Sequence, residues 1–96
     1  MLTDDEITLR RTVAAAERAS AYINDPLLVG AFEALDARFL LAWRNSPADQ
    51  PELRERLWHH IQALAEVRAE LNRALEDGAM ARAALADLRD GTDRNP

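Results

Sequence analysis

The sequence predicts an all-α protein, and three observations carry that expectation. Ala, Leu, Glu and Arg are abundant while only three Gly and four Pro occur in 96 residues, a composition that favours helix throughout. Apolar residues recur at helical spacing in each long segment. Proline and short polar residues mark the junctions between segments, where helix caps are needed. The architecture expected is an antiparallel helical hairpin (about residues 26–44 and 51–76) with an N-terminal helix (about 4–23) and a short C-terminal helix. One domain is expected over residues 1–90, with 91–96 a flexible tail. A chain of this length buries roughly 60–70% of its unfolded surface, and small cores often gain stability by oligomerising, so an oligomer is expected.

Each element has its own justification. "TDDE" begins the first helix: Thr3 caps it, Glu6 stands at the reciprocal position of a capping box, and Asp4 and Asp5 complement the helix dipole. Leu9, Val13, Ala16, Ser20 and Ile23 then follow at helical spacing, and the small residues among them let a neighbouring helix come close. In "NDP", Asp25 is the N-cap of the second helix and Pro26 its first residue, where a missing N–H costs nothing. Leu28, Phe32, Leu35, Phe39 and Trp43 form one apolar stripe, and Leu27, Val29, Leu40 and Leu41 broaden it, so burial on more than one side is expected. Gly30 is a weak point in that helix.

"NSPADQP" is the hairpin loop, with Asn45 ending one helix and Asp49 and Glu52 at capping-box spacing for the next. So short a loop joins antiparallel neighbours. In the third helix Leu57, Ile61, Leu64, Leu71 and Leu75 keep near-heptad spacing, Arg68 fills the gap in the series, and Trp58 and Val67 flank it. Gly78 stands where a C-terminal cap is expected. "AMARAALADLRD" reads as a shorter, weaker helix, a continuation or a separate arm, and the segment from Ala79 onward is expected to be free for a partner.

Composition and motifs also exclude functions. With no cysteine there is no disulfide, thiolate ligand or thiol nucleophile. The acidic N-terminus lacks the basic and apolar regions of a signal peptide, and runs such as "FLLAW" fall far short of the ~20 residues of a membrane span, so a cytoplasmic protein is expected. The net charge is −5 and all twelve basic residues are arginine, interleaved with acids; the pI of about 4.9 argues against a nucleic-acid face. His59 and His60 in "RERLWHHIQ" are consecutive, so on a helix they point about 100° apart and cannot share a metal. Glu55, four residues before His59, is its one well-placed carboxylate, and no HExxH motif occurs. Ser20 and Ser46 have no nucleophile elbow around them, and no glycine-rich phosphate loop is present. No catalytic, metal or cofactor residues are expected, and the chain reads as a non-enzyme.

The candidate functional residues are therefore contact residues: Leu28, Phe32, Phe39, Trp43, Trp58, Ile61, Arg68 and Leu71, as an oligomer or partner interface. Arg68 has two readings. The favoured one packs its stem and leaves its head in solvent; the other gives it an ion pair that sets register across a helix–helix or subunit interface. Trp43 and Trp58 flank the loop and should meet at one end of the hairpin, closing its core there or anchoring a partner.

One resemblance adds to this. "NDPLLVGAFEALDARFLLAWRNSPADQPELRERLWHHIQALAEVRAEL", residues 24–71, resembles a family of small helical proteins encoded by bacteriophages, prophages and gene-transfer elements. The shared features are "NDP" before "AFEAL", the aromatic "AW", the Ser-Pro loop, and "RERLW" leading into "IQALAEVRAEL". Within that family it is most similar to the small terminase subunit, whose oligomerisation core is also a helical hairpin. Typical small terminases carry an N-terminal helix-turn-helix; residues 1–23 here offer one acid-capped helix and no basic recognition helix. The resemblance implies a homo-oligomeric ring that docks the large terminase or another packaging protein, with DNA contact weak or indirect, in the cytoplasm of the host. A small acidic adaptor or inhibitor of a host protein, or a helical virion component, is the alternative.

Overall fold

The computed structural model describes residues 3–94. They form three helices and no strand: α1 (Asp4–Ile23), α2 (Pro26–Arg44) and α3 (Pro51–Arg94). The start signals read from the sequence operate at α1 and α2. The Glu6 backbone N–H donates to Thr3 Oγ1 at 3.1 Å. The Asp25 carboxylate accepts from the N–H groups of Leu27 (2.9 Å) and Leu28 (3.3 Å), two of the orphan donors at a helix start. Asn45 ends α2, its N–H returning to Leu41 O at 3.0 Å. α3 departs from expectation at its start. It begins at Pro51, so Gln50 rather than Asp49 holds the capping position; Gln50 O accepts from Arg54 N–H at 3.2 Å, closing the first turn.

The larger correction concerns Gly78. It does not cap a helix: α3 runs through it as a single helix of 44 residues, and no described glycine has a positive φ. Residues 79–89 are mostly alanine, leucine and arginine, among the strongest helix formers, so nothing local stops the chain there. The expected short C-terminal helix is thus the end of α3, which also takes in residues 91–94 of the expected tail. Asn95 and Pro96 lie outside the described residues.

The chain divides into two compact units, Met1–Ala21 with Leu71–Pro96, and Tyr22–Glu70. In the first, α1 packs against the C-terminal part of α3. Its centre is made of small residues: Ala16, Ala19 and Ala81 are the buried apolar side chains among the described residues, and Gly78 is buried beside them. A Cβ built on Gly78 would overlap Ala16 Cβ outright and come within 3.7 Å of Thr12 O. Glycine is therefore at this position to let α1 and α3 approach. Glu17 meets Arg82 at 3.8 Å, an exposed pair of the kind that contributes little. The segment from Ala79 onward is consequently not free, because Ala81 and Arg82 are already engaged with α1.

In the second unit α2 and the N-terminal part of α3 form the expected antiparallel hairpin: Trp43 meets Trp58, Phe39 meets His60, and Asp36 meets Arg68, numbering falling on one helix as it rises on the other. The stripe residues of α2 and the heptad leucines of α3 are half-buried, none fully. α2 was expected to be buried on more than one side. Within the chain it is not: Leu27 is 84% and Leu41 60% exposed, and Val29 and Leu40 are exposed as well. The hairpin supplies α2 with one neighbour, and one neighbour covers one face.

Gly30 contrasts with Gly78. A Cβ there meets nothing within 4 Å. At concentrations that keep the chain monomeric, Gly30→Ala should therefore stabilise it by about 0.5–1 kcal/mol, through helix propensity and reduced freedom of the unfolded chain. Urea unfolding at fixed protein concentration checks this, and a lower midpoint would contradict it.

Candidate interaction surface

The hairpin end is organised by a residue the sequence reading passed over. Arg54 lies in the first turn of α3, where the helix dipole disfavours a cation. Its guanidinium reaches back to the end of α2 and donates to Trp43 O (3.2 Å), Ser46 O (3.3 Å) and Ser46 Oγ (2.7 Å). It also lies 4.8 Å from the centroid of the Trp43 ring. Ser46 Oγ donates to Trp43 O at 2.6 Å. Arg54 and the Ser46 hydroxyl thus add donors to the Trp43 carbonyl in the last turn of α2, which also accepts from the Ser46 N–H at 3.3 Å, and Arg54 binds the loop carbonyl of Ser46 as well. The available signal was an arginine just after Pro51, where the helix start calls for an acid.

Around this node the aromatic residues assemble as read. Trp43 and Trp58 are 6.1 Å apart and inclined at 43°, closing that end of the hairpin. One turn further in, Phe39 stacks on His60 at 5.1 Å and 28°. The two histidines diverge as consecutive helical residues must: His60 faces Phe39, and His59 sits 3.7 Å from Glu55 on an exposed face. Among the described residues no group of three or more His, Cys, Asp or Glu side chains is placed to hold a metal ion. No described helix is long and apolar enough to cross a membrane.

Arg68 takes the second of its two readings, within the chain. Its guanidinium pairs with the Asp36 carboxylate of α2 and lies 5.2 Å from the centroid of the Phe32 ring. The head is held rather than left in solvent, and the seam position ties α3 to α2 in one register. Asp36 lies four residues after Phe32, so both present to the same guanidinium.

The eight contact residues read from the sequence thus divide. Leu28, Phe32, Phe39, Trp43, Ile61 and Arg68 are half-buried on the mutual faces of the hairpin, and Leu71 is half-buried in the other unit. Trp58 stays 46% exposed while touching Trp43. Outside these eight residues lies the opposite side of α2, of which Leu27 and Leu41 broaden the apolar stripe in the sequence. Leu27, Gly30, Ala34, Ala37 and Leu41 lie there, all exposed, half a turn away from Phe32 and Phe39. Glu33 and Arg38 border it.

In the first unit an open cleft of about 490 Å³ is lined by Glu6, Arg10, Val13, Arg82, Leu85 and Arg89, among others. Its arginines are solvent-exposed and its one lining carboxylate, Glu6, is half-buried with no partner among them, so nothing there organises charge for chemistry.

Fold and surface together define an all-helical protein whose most distinctive surface is apolar helix. No protein-family model, curated protein or solved structure matches the chain.

Proposed function

We propose that this chain is a non-enzymatic, homo-oligomeric assembly component that acts through protein–protein contacts. The observation that carries the reading is α2. It carries apolar residues on its outer side as well as on its hairpin side, yet its chain covers only the hairpin side. Contiguous apolar surface of this kind marks interaction sites on folded proteins. The setting proposed is DNA packaging in a phage or gene-transfer element, in the manner of a small terminase subunit without a helix-turn-helix. That setting rests on the resemblance of residues 24–71 alone. In it the hairpin builds the oligomer, and the large terminase or another packaging protein is the partner.

The test is native mass spectrometry of the purified protein across a concentration series, alone and with the large terminase from the same genetic neighbourhood. A closed oligomer that captures the motor subunit is expected. An oligomer that ignores it would remove the packaging setting and favour a virion component. A monomer at every concentration would remove the oligomer and turn the reading towards an acidic adaptor or inhibitor.

A further inference from the structure

We propose that the outer face of α2 joins two copies of this chain as a parallel, in-register helix pair. The proposal rests on the reading above only in taking the chain to be homo-oligomeric, and it holds whatever the partner protein is.

The spacing carries the first part. Leu27, Gly30, Ala34, Ala37 and Leu41 follow one another at intervals of three, four, three and four, the a and d positions of a two-stranded coiled coil sustained over two heptads. All five are exposed. Two leucine layers would stand at the ends of the seam, and Gly30, Ala34 and Ala37 between them let the two backbones come close.

Charge selects the occupant and its direction. In this register Glu33 is a g position and Arg38 the e position of the following heptad, five residues on. In a parallel, in-register pair each g residue lies against the e residue five further along in the partner, so Glu33 meets Arg38 of the second copy, and two-fold symmetry makes the pair twice. Both side chains are exposed, and among the described residues neither is paired within the chain. Antiparallel pairing sets g against g and e against e, which opposes like charges or leaves both residues against apolar neighbours.

The experiment is sedimentation equilibrium of the full chain at fixed moderate salt, for the wild type, Glu33→Arg, Arg38→Glu and the double variant. Each single reversal is expected to weaken self-association about tenfold, since two attractive pairs become repulsive, and the double variant to recover most of it. Circular dichroism of each variant should be unchanged, because neither residue packs within the chain. Gly30→Cys supplies an independent readout in a protein that has no other cysteine. Mild oxidation should give a disulfide dimer, since parallel pairing sets position 30 against itself. In the antiparallel arrangement that sets Ala34 against Ala37, the two copies of position 30 lie about 16 Å apart, beyond disulfide reach.

Association that is insensitive to both reversals, or no recovery in the double variant, would overturn this interface while leaving homo-oligomerisation standing. Charge rescue without the Gly30→Cys cross-link would overturn the parallel orientation. A wild-type monomer would overturn interface and oligomer together.

Discussion

Gly78→Ala is expected to lower stability by about 1–3 kcal/mol, although alanine is the better helix former by about 1 kcal/mol. The reason is the contact with α1. The added methyl would occupy the space of Ala16 Cβ, and its other near neighbours are the Ala16 Cα and the Thr12 carbonyl oxygen, which are backbone and give way poorly. α1 must move outward, uncovering Ala16, Ala19 and Ala81, which form the core of that unit. Urea unfolding followed by circular dichroism reads the loss. Gly91→Ala, in the same helix with nothing within 4 Å, is the control that should not lose stability. If Gly78→Ala unfolds later than the wild type, the close approach of α1 is wrong.

The second large effect is expected at Trp43. A buried tryptophan truncated to alanine costs about 3–5 kcal/mol; Trp43 is half-buried, so about 2 kcal/mol is the expected loss. It is the residue on which the hairpin end converges. Trp58 packs beside its ring, the Arg54 guanidinium lies against it, and its carbonyl receives Arg54 and Ser46. The backbone hydrogen bonds survive the substitution while the ring contacts do not. Trp58→Ala, at a more exposed side chain, should cost about half as much. A double-mutant cycle should return a coupling of about 0.5–1.5 kcal/mol, the range for paired aromatic rings. A coupling near zero would mean the two rings do not meet, and with it the antiparallel register would fail.

Both residues show how far local sequence carries. The position of Trp43 beside Trp58 follows from helical spacing on either side of a short loop, and the structure sets them together as expected. Gly78 has a local meaning, a helix end, that the structure replaces with a different one. A glycine between helix-forming segments looks the same whether it ends a helix or admits a neighbour. The choice is made by α1, some sixty residues earlier in the chain. Arg68 is a similar case: its seam position is visible in the spacing, but its partner Asp36 belongs to the other helix of the hairpin.

What the sequence determined by itself is the local grammar. The bounds of α1 and α2, the Thr3 and Asp25 caps, the antiparallel hairpin and the divergence of His59 and His60 all depend on residues within a few positions of one another. Caps, helical periodicity and short loops act over that range. What only the tertiary structure decided is which surfaces are already taken: that α3 continues to Arg94 with Gly78, Ala81 and Arg82 set against α1, that Arg54 closes the end of α2, and that the apolar stripe through Phe32 and Phe39 is used within the hairpin while the side through Leu27 and Leu41 is left open. Hydrophobic burial is non-directional, so an apolar residue specifies that it should be covered and not by what. Only the packing of distant segments assigns the cover.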